Sequence, residues 1–225
     1  MVVNIRFVIF FAVFLPLQRK LAAKLMIFIE RESFFFVNFA PMNVKQPDMN
    51  QHPLDLFRFC PVCGSSLFVV NNVKSKHCRQ CGFTYYANPS SATAAFIIDS
   101  QNRLLVARRG KDPARGTLDL VGGFADMYET VEQAMLREIE EEAGLHLDQP
   151  RYLFSIPNRY LYSGMTIHTL DMFFRFDVPA GIAVSAADDA AELMWIPLPD
   201  VRPELFGLDS IRQAVARFLS EHVDS

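Results

Sequence analysis

The sequence predicts an α/β fold, a mixed sheet covered by helices on both faces, with a small metal-binding module in front of it. Three observations carry this prediction. Apolar strand-like runs alternate with two amphipathic helical segments over 89–222, four cysteines form two closely spaced pairs within 56–88, and an acidic helix follows a glycine turn over 122–145. A chain of 225 residues holds enough material for one sizeable core and a satellite module.

The N-terminal extension, 1–48, differs from the rest. It holds nine of the 21 Phe and six Lys or Arg against three Asp or Glu, whereas 49–225 carries 16 basic and 22 acidic residues. Arg6 precedes an apolar run over 7–17, as in a secretory signal, but no small-x-small cleavage site follows and the run is too short to cross a bilayer as a helix. Lys24, Glu30, Arg31 and Glu32 interrupt the next apolar stretch. Three readings stand: a tethering or dimer-forming extension, an export signal, or sequence upstream of the true initiator, with Met42 and Met49 beside the change in composition. We favour the last, and expect a cytoplasmic protein with no membrane partner.

Cys60, Cys63, Cys78 and Cys81 are the only cysteines, spaced C-x2-C, fourteen residues, C-x2-C. Two thiolate pairs at that spacing suit one tetrahedral zinc ion, and four protein ligands close its shell, so the ion would be structural. Two disulfides are the alternative, although nothing else in the chain points to an oxidising compartment. Leu67 to Val70 followed by Asn71-Asn72 reads as a hairpin turning at the asparagines, and His77 reads as solvated. Lys74, Lys76 and Arg79 form a basic edge beside Phe83, Tyr85 and Tyr86, suited to a nucleic-acid strand or equally to packing on a neighbour. A formal net charge of -3 gives no electrostatic support for broad nucleic-acid binding, so nucleic acid is not the favoured partner.

After Asn88-Pro89, SSATAAFIID and RLLVARR read as strands joined by a turn, GKDPARGT as a polar loop, and LDLVGG as a strand entering a glycine turn. Thr130 and Gln133 form a capping box; Val131, Met135 and Ile139 recur every four residues on the buried face of the helix, which Gly144 ends. RYLFSIPNRYLYSG, MTIHTLDMFFRFDV and ELMWIPL read as strands, and 210–219 as the last helix.

Glu138, Glu141 and Glu142 stand at i, i+3 and i+4, so their carboxylates share one helix face. Near the negative end of the helix dipole they repel, and a hard divalent cation relieves that conflict while keeping positions for water and phosphate. An ordinary solvated acidic face is the alternative from helical geometry alone. Starting at Gly123 the chain reads G-x5-E-x7-R-E-U-x-E-E-x-G-U, U being aliphatic, with Glu129, Arg137, Glu138, Ile139, Glu141, Glu142, Gly144 and Leu145 in place.

This resembles the complete Nudix box, and 89–222 looks like a Nudix α/β/α sandwich with a mixed sheet. The resemblance implies that Glu138, Glu141 and Glu142 bind catalytic magnesium or manganese, that Gly123 brings the turn close to them, and that Glu129 and Arg137 form a supporting ion pair. The paired CPxCG and CxxCG knuckles make the chain similar to the zinc-ribbon NADH pyrophosphatases, which split NADH or remove NAD caps from RNA. That branch carries Ser-Gln-Pro-Trp-Pro-Phe-Pro after the box; here 155–164 reads SIPNRYLYSG, and Val121 replaces the usual proline before Gly122-Gly123.

The resemblance therefore implies hydrolysis of the pyrophosphate bond of a nucleoside diphosphate linked to another moiety, such as ADP-ribose, a nucleotide sugar or a dinucleotide. The alternatives are an NADH or NAD-cap pyrophosphatase, and a non-catalytic nucleotide sensor whose ribbon contacts nucleic acid or protein. Arg108, Arg109 and Lys111 at a strand end would meet phosphates, and Tyr160 or Tyr162 would stack on a base. The alternative is a strand flank with packing aromatics. In DDAAELMW, Asp189 is the candidate base and Glu192 a second acid toward the substrate, against solvated loop charges. Relatives that pair imply a homodimer.

Overall fold

The computed structural model describes residues 52–162, 164–186 and 190–222, together with the backbone of 24–25 and 37–38; the side chains of 160, 161, 190, 191 and 222 are not described. The chain divides into two compact units, Met1–Gln46 and Pro47–Ser225. In the first, β1 (Lys24–Leu25) pairs antiparallel with β2 (Val37–Asn38). The readings placed on 1–48 otherwise lie outside the described residues.

The cysteine module is a three-stranded antiparallel sheet of β3 (Phe68–Asn72), β4 (Ser75–Cys78) and β5 (Thr84–Tyr86). The hairpin turns at Val73-Lys74, two residues later than expected, because Asn71 and Asn72 both stay in the strand and the Asn72 side-chain oxygen accepts the Lys74 N–H at 3.1 Å. Two side chains differ from expectation. Lys76 is buried: its Nζ donates to the Phe57 carbonyl at 2.7 Å and lies 5.7 Å from the centre of the Phe68 ring, so it leaves the basic edge. His77 is half-buried and meets the Thr84 hydroxyl at 2.8 Å instead of solvent.

The larger sheet runs β11 (Ala190–Pro197), β7 (Arg103–Arg109), β6 (Ser90–Asp99), β10 (Met165–Val178), β9 (Arg151–Tyr162), with β8 (Leu118–Asp119) on β7. The β6–β10 pair is parallel and the others are antiparallel, so the sheet is mixed. Side chains alternate along β6: Ala95 and Ile97 join Met135, Ile139 and Ala143 of α1 (Val131–Ala143), while Phe96 turns to the opposite face and stacks on Phe218 of α2 (Asp209–His222), ring centres 4.2 Å apart. Burial on both faces explains why β6 reads as a continuous apolar run.

LDLVGG forms a shorter strand than expected. After Asp119 the chain leaves β7 and crosses to β6, where Val121 bridges Ala95 and Phe124 bridges Ala92. Since β6 and β7 are paired at Ile98↔Leu104, the two strands separate toward their other ends, and a cavity opens beside the glycine turn.

Candidate functional site

Two constellations stand out. In the cysteine module, Sγ of Cys60 lies 3.7 Å from that of Cys81 and Sγ of Cys63 3.6 Å from that of Cys78, with all four within 4.8 Å of one another. Tetrahedral zinc with bonds of ~2.3 Å places its sulfurs roughly 3.8 Å apart, which these spacings fit. The thiols also titrate against each other. Cys78 is lowered to about 6, chiefly by the Cys81 N–H, whereas Cys63 is raised to about 12: the Ser65 N–H favours its thiolate, but desolvation and the neighbouring sulfurs outweigh it. Only a cation among them lets all four ionise together.

The second constellation is the glycine turn and α1. Thr130 Oγ1 accepts the Gln133 N–H at 3.2 Å and Gln133 Oε1 accepts the Thr130 N–H at 2.8 Å, the reciprocal cap expected from sequence, and Gly144 closes the helix in the left-handed region. Arg137 donates to both oxygens of Glu129, at 2.8 and 3.0 Å, and to the Phe124 carbonyl at 2.9 Å, so the loop is tied to the helix. Its Nη1 also sits between Glu138 and Glu141, 2.8 and 2.9 Å from one oxygen of each. The Arg137 pairing holds the Glu129 carboxyl below its ordinary value; burial pushes Glu138 up despite Arg137.

Glu142 Oε2 accepts the Gly122 N–H at 3.0 Å, and Glu142 lines the cavity with Gly122 and Gly123. Gly123 is needed for proximity: a Cβ there would lie 2.5 Å from the Glu138 carboxyl carbon. The three carboxylates share one face, yet among the described residues only the cysteines form a group whose ligand atoms all lie within 4.8 Å. A point of positive charge already bridges two of them, and half-buried Glu138, whose pKa burial raises, gains from a cation beside it. Hard oxygen donors around such a point fit a divalent cation held by one or two carboxylates with waters and phosphate completing it.

The cavity, about 770 Å³, is bounded by β6, β7, the 110–113 loop, β9, β10 and α2. Arg108 lines it but also bonds Glu192 Oε2 and the Gly116 carbonyl, each at 3.1 Å. Arg109 is committed to Asp119 and the Pro113 carbonyl. Lys111, Phe124 and exposed Tyr162 stand at the wall. Tyr160 belongs to β9, but its side chain, like all of Asp189, lies outside the described residues. His168 is half-buried and held low by burial and then by Arg159.

The NUDIX domain profile matches residues 88–218. The chain belongs to the Nudix family. Curated relatives include the NAD-capped RNA hydrolase NudC of Stutzerimonas stutzeri, 26% identical over 73% of this chain and 55% of that protein. Another is the ADP-ribose pyrophosphatase of Methanocaldococcus jannaschii, 33% identical over 57% of this chain and 74% of that one. The chain spans about half the length of the NudC proteins it matches. Among solved structures, a NUDIX hydrolase from Nitrosomonas europaea superposes with TM-score 0.56 at 20% identity, covering 75% of this chain and 93% of that one. A MutT NUDIX hydrolase from Burkholderia pseudomallei gives 0.50 at 27% identity, covering 57% and 97%.

Several polar residues of this Nudix cavity were passed over in the sequence. Asp119, Asn158, Thr169 and Asp171 all line it and are all buried. Asp171 accepts the hydroxyls of Thr169 and Ser210, each at 2.5 Å. Burial pushes the Asp119 carboxyl up, opposed by Arg109, and the charge of nearby Asp171 pushes the same way. One signal was available: Asp171 sits in MTIHTLDMFFRF at an inward position of the strand period, where an apolar residue belongs.

Proposed function

We propose that the chain hydrolyses the pyrophosphate bond of a nucleoside diphosphate linked to another moiety, with magnesium or manganese held by Glu138, Glu141 and Glu142 and structural zinc held by Cys60, Cys63, Cys78 and Cys81. The observation that carries this reading is the bridging of Glu138 and Glu141 by one cationic nitrogen of Arg137, next to a cavity that Glu142 and the glycine turn open onto. The chemistry such a divalent ion supplies when bound is neutralisation of diphosphate oxygens and activation of water. The chain's own residues do the positioning. Arg137 and Glu129 fix the loop, Gly123 admits the Glu138 carboxyl, and Glu142 is oriented by the Gly122 N–H. Arg108 and Lys111 bring positive charge to the wall where phosphates would lie, Arg109 buffers Asp119, and Tyr162 with Tyr160 would flank a base. Asp189 and Glu192 remain the candidate base and second acid.

Incubation with ADP-ribose, nucleotide sugars, dinucleoside polyphosphates, NADH and NAD-capped RNA, with and without magnesium, tests this. Release of a mononucleotide that requires the metal and is abolished by Glu141→Gln is expected. Tight nucleotide binding with no turnover of any of them would instead establish a sensor. A second reading, hydrolysis of NADH or NAD caps, is favoured by the four-sulfur ribbon ahead of the domain and by the similarity to the NAD-capped RNA hydrolases. The same substrate panel decides between the two.

We also place the protein in the cytoplasm as a homodimer. Among the described residues no helix is long and apolar enough to cross a membrane. Sedimentation of the purified protein checks the dimer.

A further inference from the structure

The acidic face of α1 has two ends. Glu142 opens onto the cavity with Gly122 and Gly123, whereas Glu138, one turn and about 6 Å nearer the start of the helix, is not part of the cavity wall. Glu138 and Glu141 meet Arg137, which also holds Glu129 and the Phe124 carbonyl, so the 124–130 loop bounds the far end of the face. A diphosphate lying across the three carboxylates with one esterified half in the cavity therefore sends its other half toward that loop. The loop is fixed by short-range ties: Phe124 bridges Ala92, the Ala125 N–H donates to the Ser91 carbonyl at 3.0 Å, and the Asp126 N–H donates to Glu129 Oε2 at 2.7 Å. Between these ties Met127 and Tyr128 form a turn, the first 88% and the second fully exposed. Tyr128 has φ of +69°, in the left-handed region where glycine is the default and a bulky side chain is strained. Packing against the described residues does not repay that strain, because the side chain is fully exposed.

We propose that Tyr128 is the platform for the second base of a dinucleotide substrate, stacking on the aromatic ring of the half that stays outside the cavity, with Met127 as its apolar flank. A fixed loop that holds an aromatic ring in water beside a phosphate-binding face offers that ring to another flat ring. Stacking needs only a π face, so the platform accepts any second base. The inference rests on the hydrolase reading above and narrows its substrate to one with a ring system on both sides of the pyrophosphate, ahead of ADP-ribose or a nucleotide sugar.

Diadenosine diphosphate and ADP-ribose test it, because the two share an adenosine diphosphate and differ by the second adenine. With the full chain and magnesium, kcat/KM should favour diadenosine diphosphate by roughly fivefold to a hundredfold, the range of base stacking on an aromatic ring. Tyr128→Ala should bring the ratio to within about twofold of unity, and Tyr128→Phe should restore it. Any disturbance of the metal centre acts on both substrates and cancels in the ratio. Tyr128→Gly removes ring and strain together, so the ratio should collapse while the melting temperature rises by a few degrees. A ratio near one in the unaltered protein, or a preference that survives Tyr128→Ala, overturns the proposal. So does a lowered melting temperature in Tyr128→Gly, which would show that the ring supports the fold. If neither compound is hydrolysed, the hydrolase reading fails, and the ratio of their dissociation constants from calorimetry with magnesium carries the same test. Hydrolysis of both at equal kcat/KM removes only the platform.

Discussion

Gly123→Ala isolates the link between the glycine turn and the acidic helix. The added Cβ would stand 2.5 Å from the Cδ and Oε1 of Glu138, against the 3.4 Å or more of ordinary van der Waals contact, so the carboxyl must move by about 1 Å. No backbone strain opposes the substitution, because Gly123 is not in the left-handed region, and alanine lowers the entropy of the unfolded chain by the equivalent of about 0.4–1 kcal/mol. Displacing Glu138 weakens its 2.8 Å pairing with Arg137, a loss of about 1–2 kcal/mol in this part-buried site. The two nearly cancel, so the melting temperature should shift by only a few degrees. Turnover should fall on the order of a hundredfold, because a 1 Å error in a ligand misplaces everything it holds. Gly122→Ala is the contrast. There φ is +153°, and a Cβ would run into the Thr93 carbonyl oxygen and Ala94 Cα, backbone that cannot swing aside, so folding itself should suffer. Thermal unfolding and a magnesium titration of ADP-ribose hydrolysis separate the two variants. Wild-type turnover and metal dependence in Gly123→Ala would refute the placement of Glu138 at the reacting centre.

A chelator should remove one zinc per chain and abolish hydrogen-exchange protection over 56–88 while leaving 89–222 protected; native mass spectrometry and exchange measure both, and loss of protection throughout would contradict it. Arg137→Lys keeps the charge but cannot reproduce the two parallel bonds to Glu129, so stability should fall by roughly 1 kcal/mol, modest because the pair is partly exposed, with turnover down about tenfold. Asp99 is buried beside Arg103 at 2.6 Å and accepts the N–H groups of Gln101 and Arg103; Asp99→Ala should cost roughly 3 kcal/mol in denaturant titrations. Burial acts to raise the Asp99 pKa, but the bonds from Arg103 outweigh it and hold it below its ordinary value. Its contribution is therefore complete above about pH 4 and disappears as pH falls further, so the gap between wild type and Asp99→Ala should close in acid.

What was legible in the sequence was what short-range rules determine. The helix Val131–Ala143 has its capping box, its four-residue apolar period and its glycine stop within fifteen positions, and each signal points the same way. The two cysteine pairs are likewise local, and their spacing constrains the sulfurs before any fold is known. The third ribbon strand was not visible because Thr84–Tyr86 is three residues with an exposed pattern, supported by pairing with β4 and not by its own periodicity.

The cavity residues were hidden for a different reason. Asn158 and Asp171 acquire their relation only from the register of β9 on β10, and the space between them only from the crossing of 121–124 onto β6. A one-residue slip in that register would turn Asn158 to the opposite face from Asp171 and close the pocket chemistry while leaving every motif intact. The same long-range placement sets the box itself. Glu142 meets the Gly122 N–H because α1 packs its Met135 and Ile139 against Ala95, one residue removed from the Ala94 that Gly122 must clear. The acidic face and the polar wall of the cavity are thus positioned from opposite surfaces of one strand, β6: α1 packs on Ala95, while Ala92 and Ala94 line the cavity.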